Sequence, residues 1–345
     1  RVVENVRIEQ VEQFPTIQFF RTVPMLSLVR FARWEEILSE PEPHAPFAFA
    51  RAIWHYGRGV AYASMENKVQ MSGGSAANTI FGISQLGCKS AFIGKRSNDE
   101  LGNIFHADLA NSDIDFTTRP LDTGEPSARC LILVTSDAER TMATFLGSSS
   151  KLTLEDINEE QIASSKIVYL EGYLFDPEEA QEAFQKAAEY ARMHNAKVAF
   201  TLSDAFCVER HREKMKDFVK NNVDILFSNE GEIKSLYEID ILEDAYKLLK
   251  EDVAIGVVTQ GDKGAAIIEQ KAIHKIEAFS TKVIDTTGAG DFFAAGFLAG
   301  LSKNLDVMKA GVMGAACSAE IISHYGGRPE NNLKQYIKNK AGLIL

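Results

Sequence analysis

Val283-Ile-Asp-Thr-Thr-Gly-Ala-Gly-Asp-Phe-Phe-Ala-Ala-Gly-Phe-Leu298 joins a β-branched lead-in, a tight Thr-Thr-Gly-Ala-Gly turn and an apolar run that predicts a buried helix. Gly288, Ala289 and Gly290 stand just before and within the first turn of that helix, where small residues allow close backbone approach. The first N–H groups of a helix lack intrahelical partners and lie at the positive end of its dipole, so the turn predicts an anion site. Asp291 sits at the same end, where a carboxylate can act as a base. An anion hole beside a carboxylate suits phosphoryl transfer to a hydroxyl. The local alternative is a glycine-rich turn whose Asp caps a helix, and this stretch alone leaves both readings open. It is neither a P-loop, since no Gly-Lys-Ser/Thr follows, nor G-x-G-x-x-G, since Phe293 holds the third glycine position.

Upstream of this stretch, strands and helices alternate. Ile167–Leu170, Lys197–Leu202, Asp224–Phe227 and Val253–Thr259 read as strands, with helices at Pro177–Met193, Val208–Asn221, Glu230–Tyr237 and about Leu242–Lys250. Two short strands, Ala265–Ile268 and Ala272–Ile276, precede the organising helix; helices at Asp306–Ser323 and Leu333–Lys338 follow it. This rhythm predicts an α/β fold: a doubly wound, mainly parallel sheet with helices on both faces and ligands at the carboxyl ends of the strands. Earlier, Ser75 to about Leu86 and Asp99–Ala110 read as helices and Ser90–Gly94 as a short strand. Ser127–Thr135 and Arg140–Leu146 read as a hairpin turning at Ser136–Ala138, part of a small β element spanning about 115–147.

The chain has 345 residues, 45% of them hydrophobic, with 37 basic and 48 acidic side chains for a net charge of -11. That charge argues against nucleic acid or an anionic membrane as the partner, and no apolar run reaches the roughly 20 residues of a span. Cys88, Cys130, Cys207 and Cys317 are widely spaced and read as thiols of a reducing, cytoplasmic compartment. Residues 1–56 differ in composition. Arg but no Lys occurs up to Asn67, both tryptophans and five of nine prolines fall in this segment, and no Asp precedes Asp99. This is a poor signal peptide, and Glu4, Glu9, Glu12, Glu35 and Glu36 oppose a transit peptide. The shift sets a boundary expectation: an atypical segment over 1–56 and a regular α/β domain over 57–345.

Three further constellations precede the organising stretch. Gly73-Gly74 with Asn78 suits a polyhydroxylated ligand; an ordinary glycine turn is the alternative. Asn229-Glu-Gly-Glu232 follows a strand. Its Asn and Glu share a helix face and read either as a capping box or as holders of water around Mg²⁺, which keeps much of its hydration. Thr259-Gln-Gly-Asp-Lys-Gly264 ends a strand, where Gly261 and Gly264 can admit phosphates or simply turn a hairpin. Asp285 is placed to orient the last turn.

The order Gly-Gly-x-x-x-Asn, Asn-x-x-Glu, Thr-x-Gly-x-x-Gly, Asp-Thr-x-Gly-Ala-Gly-Asp resembles the ribokinase-like (PfkB) family of carbohydrate and nucleoside kinases from about Gly57 to the C-terminus. Met71–Asn78 and Ile322–Arg328 look most like bacterial members of the adenosine kinase branch. The resemblance implies an ATP-dependent kinase acting on a hydroxymethyl group of adenosine or another nucleoside, or of a free sugar such as ribose or fructose; a catalytically impaired nucleotide-binding member is the alternative of a different class. It implies Asp291 as general base, with Gly288, Ala289 and Gly290 forming the anion hole. Asn229, Glu232, Thr259, Gly261, Gly264 and Asp285 would surround the nucleotide, with Glu232 reaching Mg²⁺ through water. Gly73, Gly74 and Asn78 would meet the sugar, Arg140 on the β lid would face the transferred phosphate, and Tyr173 would stack on a base. Monovalent-cation dependence and oligomeric state stay open. The family opens with a strand carrying Gly-Asn and then an Asp that binds substrate hydroxyls; with no Gly before Gly57 and no Asp before Asp99, this chain lacks that motif.

Overall fold

A computed structural model describes residues 22–30, 33–43, 48–65, 71–134 and 140–344. The chain divides into two compact units, residues 1–70 and 71–345. In the first unit, helices α1 (Val23–Arg30), α2 (Trp34–Ser39) and α3 (Ala48–Met65) enclose a small core of Met25, Ile37 and Ala61. Helix α3 runs through Gly57, so the division expected at residue 56 from composition lies inside a helix, and the contacts separate at Gln70 instead.

The second unit is the α/β domain. Its six-stranded sheet runs β10–β9–β8–β7–β6–β5, built from β5 (Ile167–Glu171), β6 (Lys197–Thr201), β7 (Ile225–Asn229), β8 (Ile255–Thr259), β9 (Ala265–Glu269) and β10 (Ile273–Ile276). Strands β5 to β8 are parallel, and β9 and β10 turn back antiparallel. Alternate residues on each strand feed two cores, because successive side chains point to opposite faces. Phe200, Leu226, Val258 and Ile268 join helices α7 (Glu178–Met193), α8 (Ala205–Asn222), α9 (Glu230–Tyr237) and α10 (Leu242–Asp252). Ala199, Ile225, Phe227, Val257 and Ile267 meet the opposite layer, α11 (Ala289–Ser302) and α12 (Val307–Ile321).

The organising helix α11 is buried from Phe292 to Gly300. Its glycines set the packing: a Cβ on Gly296 would lie 2.6 Å from the carbonyl oxygen of Met313 on α12. On the other side α4 (Ser75–Gln85) packs against α11 through Gly82, whose Cβ would lie 2.7 Å from that of Ala295. α13 (Leu333–Ala341) completes this layer, packing Leu333 and Ile337 against Leu86 and Phe292.

Several expected boundaries shift for local reasons. α8 starts at Ala205, not Val208, because Asp204 caps it by accepting the N–H groups of Phe206 and Cys207. Ser90–Gly94 contributes only a two-residue strand, β1 (Ser90–Ala91), paired with β2 (Ile114–Asp115) beyond helix α5 (Glu100–Asn111). Val283–Asp285 forms no strand; the N–H groups of Ile284 and Asp285 bond the carbonyl of Ile322 instead. The hairpin is present as β3 (Arg129–Val134) and β4 (Arg140–Phe145), antiparallel and separate from the main sheet. Its turn at Ser136–Ala138 and the side chain of Arg140 lie outside the described residues. A short helix α6 (Glu159–Ala163) leads into β5.

Candidate active site

Thr-Thr-Gly-Ala-Gly becomes the N-terminus of α11 because Gly288 adopts φ 78°, a left-handed conformation that suits glycine. The buried Asp285 holds the turn. Its Oδ1 accepts the N–H and hydroxyl of Thr287 at 2.9 and 2.6 Å, and its Oδ2 accepts the N–H of Gly326 at 2.9 Å. Asp285 therefore orients this turn from within the loops. The N–H of Ala289 donates to the carbonyl of Thr286 at 3.3 Å, so one of the expected anion-hole donors is turned into its own loop. Gly290 opens onto free space: nothing lies within 4 Å of where its Cβ would be.

Asp291 lies in the first turn of α11. Asn78 Nδ2 donates to Asp291 Oδ2 at 2.8 Å, and the hydroxyl of Thr79 reaches the Asp291 carbonyl at 3.2 Å. Asn78, expected to meet a sugar, is buried and engaged with the carboxylate; its Oδ1 accepts from Arg328 at 3.0 Å. Gly73 and Gly74 lead into the same helix with open space at both Cβ positions, and Gly74 has φ +100°. Gly74 cannot cap α4 with a side chain, and Glu171, at the end of β5, does so from across the site. Its carboxylate accepts the Ser75 hydroxyl and the Ala76 N–H. Burial, with the Asp291 charge adding, pushes the Glu171 carboxyl up to about 7 against the pull of those hydrogen bonds.

At the end of β7, Asn229 and Glu232 form a reciprocal capping box: Glu232 N–H to Asn229 Oδ1 at 2.9 Å, Asn229 N–H to Glu232 Oε2 at 2.9 Å, and Asn229 Nδ2 to Glu232 Oε1 at 2.6 Å. Glu232 is only 6% exposed, and burial pushes its carboxyl up to about 7. Among the described residues no three His, Cys, Asp or Glu side chains gather as a metal site. Thr259, ending β8, donates to the Ser228 carbonyl at 3.3 Å, and the buried Ser228 hydroxyl has no hydrogen-bond partner among the described residues. Gly261 (φ +61°) opens onto free space, whereas a Cβ on Gly264 would lie 1.9 Å from the Ile276 carbonyl oxygen. Gly264 is thus needed for the close approach of β10 and is not open to a ligand. Tyr173, 45% exposed, follows β5; burial of its hydroxyl end, then Asp204, Glu171, Glu232 and Asp291, raise its phenol. These groups share the carboxyl-end rim of the parallel strands.

The sequence reading did not single out Glu171, Thr79 or Arg328. Glu171 carries one signal, a carboxylate ending an apolar strand; Thr79 and Arg328 acquire roles only through contacts with residues distant in the chain.

Residues 59–333 match the family model described as "pfkB family carbohydrate kinase". The chain is 38% identical to an adenosine kinase from Sinorhizobium meliloti of known structure, with a TM-score of 0.78 over 81% of this chain and 86% of that one. It is equally similar, at 38% identity and a TM-score of 0.79 over 82% and 86% of the two chains, to a probable sugar kinase from Rhizobium etli. Probable fructokinase-5 of Arabidopsis thaliana is 25% identical over 79% of this chain and 88% of its own length.

Proposed function

The chain belongs to the pfkB family of carbohydrate kinases, and on that premise we propose that it transfers the γ-phosphoryl group of ATP to the 5′-hydroxymethyl of adenosine, with Asp291 as general base. The observation that carries this reading is the junction of α11 and α4. A carboxylate stands in the first turn of a helix beside a glycine with open space above it, and an amide donor holds one of its oxygens. Asp291 takes the acceptor's hydroxyl proton, the acceptor oxygen bonds the γ-phosphorus, and the bond to the ADP oxygen breaks. The N-terminus of α11 stabilises charge on the transferring oxygens.

The residues present fit ATP. Gly290 and Gly261 are exposed, with nothing within 4 Å of where either Cβ would be, and Ser228, whose carbonyl accepts from Thr259, has a buried hydroxyl with no hydrogen-bond partner among the described residues. Mg²⁺ would neutralise phosphate charge; Glu232 and Asn229 are the residues to reach it through water. Adenosine is favoured by the 38% identity to the Sinorhizobium adenosine kinase and by the exposed Tyr173 ring on the rim, suited to stacking on a base. A free-sugar acceptor is the second reading, favoured by the similarity to the Rhizobium sugar kinase and to fructokinases. A coupled ADP-release assay separates them. Turnover with adenosine and none with fructose or ribose is expected; the reverse pattern establishes the sugar kinase, and no turnover with any acceptor overturns the kinase reading.

A further inference from the structure

We propose that Arg328 is a positioning residue for the base: it orients the amide of Asn78 so that the amide's N–H₂ end, and not its oxygen, faces Asp291. The proposal rests on Asp291 being the general base.

The two ends of an Asn amide are nearly equal in shape and opposite in hydrogen bonding. With its nitrogen toward Asp291, Asn78 donates to Oδ2 at 2.8 Å. Reversed, it would set its oxygen against the carboxylate and withdraw the donor that favours the ionised base. Arg328 Nη1 stands 3.0 Å from Asn78 Oδ1. A guanidinium has five donors and no acceptor, so it can bond only the oxygen end of the amide. The reversed amide would face a carboxylate with an acceptor and a cation with a donor, and both contacts would be lost. Arg328 thereby fixes the identity of the atom that touches Asp291 without touching Asp291 itself in any of these bonds.

Arg328 is itself firmly held. Its guanidinium stacks 4.2 Å over the ring of Phe81, one turn along α4 from Asn78, and its Nη2 reaches Asp108 of α5 at 3.4 Å. The loop that carries it is tied at both ends. Asp285 accepts the Gly326 N–H, and buried Glu320 accepts the N–H groups of Glu330 and Asn331 at 3.1 and 2.8 Å. A Cβ on Gly327 would lie 3.2 Å from Asn78 Nδ2, so glycine at 327 lets the loop lie against the amide. Asp285 thus serves the site twice, bracing the α11 turn and the Arg328 loop with one carboxylate.

Asp291 is within electrostatic reach of Glu171 and Tyr169 of β5, of Tyr173, and of Arg328. Arg328 is the one cation among these groups. A structural arginine, tying its loop to α5 through Asp108, would shift Asp291 through its charge alone, by the same amount with or without the Asn78 amide.

The test is a ¹³C-carboxylate NMR titration of aspartate-labelled full-length protein, with the Asp291 signal assigned by its loss in Asp291→Asn. Arg328→Met keeps an apolar stem against Phe81 and removes every donor. The Asp291 midpoint is expected to rise by roughly half a unit or more. Asn78→Ala is expected to raise it too, and the double variant by less than the two single shifts summed, since the part of the Arg328 effect that acts through the amide is lost with Asn78. An unchanged midpoint in Arg328→Met overturns the proposal. So does a full Arg328→Met shift added on top of Asn78→Ala, which would mean that charge acts directly. If Arg328→Met does not fold, Arg328→Gln is read by the same criteria. Glu171, titrating near 7, adds a second inflection to wild type and variants alike and leaves their difference unchanged. The titration needs no acceptor. Failure of the kinase reading would show separately, as a wild-type protein that phosphorylates nothing.

Discussion

Asp291 draws its local environment from three directions: a helix N-terminus beneath it, the Asn78 amide beside it and the half-buried Glu171 nearby. Removing only its basicity isolates its role. Asp291→Asn is expected to lower kcat by at least about 10²-fold, the scale of a positioned base, with the ATP Kd unchanged by calorimetry. Retained turnover would take Asp291 out of the base role. Glu171 predicts a pH effect on stability. Its carboxyl is held near 7 in the folded protein, above its ordinary value of 4.5, so the folded state binds the proton more tightly than the unfolded one. That contribution is fully present below pH 4.5 and is lost as pH rises through 7, amounting to at most about 3 kcal/mol. Glu171→Gln should therefore flatten the fall in Tm between pH 5 and pH 8, measured by calorimetry; an unaltered slope would mean that Glu171 is ionised throughout.

At the level of elements, the site depends on how closely α4 lies against α11. Gly82 permits that closeness, since a Cβ there would come within 2.7 Å of the Ala295 Cβ and 3.1 Å of the Phe292 ring. Gly82→Ala is expected to cost about 1–3 kcal/mol by overpacking, read as a lower urea midpoint at constant m. It should also lower kcat more than it raises the KM for ATP, because moving α4 carries Asn78 away from Asp291 while β7 and β8 stay in place. Equal stability and activity in the variant would show that this helix pair has slack. The capping box of Asn229 and Glu232 illustrates how one device serves two levels. It starts α9 and presents a carboxylate at the rim with the same atoms.

Across the whole molecule, each unit has its own core: Met25, Ile37 and Ala61 in the first, and the two sheet faces with α11 and α12 in the second. A chain of residues 71–345 is accordingly expected to fold and to bind ATP with the affinity of the full chain, checked by circular dichroism and calorimetry. Loss of ATP binding would show that residues 1–70 complete the nucleotide site. The family's early substrate Asp has no counterpart in this sequence before Asp99. Charged hydrogen bonds are worth roughly 1.5–3 kcal/mol each, so an elevated KM for the acceptor is expected beside an ordinary one for ATP. Among the described residues no helix is long and apolar enough to cross a membrane.

What the sequence determined by itself was everything carried by short spacing. The alternation of β-branched runs with helical periods foretold the doubly covered sheet, and the Thr-Thr-Gly-Ala-Gly turn foretold the start of α11. The three-residue step from Asn229 to Glu232 foretold the capping box. Gly264 was read as a candidate phosphate contact because a glycine's role depends on what approaches it, and here that is the backbone of Ile276. Only the tertiary structure decided the partners of the charged groups. Asn78 and Asp291 are 213 positions apart, Arg328 lies 250 from Asn78, and Glu171 caps a helix that begins 96 residues before it. Such pairings follow from distance and burial in three dimensions, where low dielectric makes each one strong, and no periodicity along the chain records them.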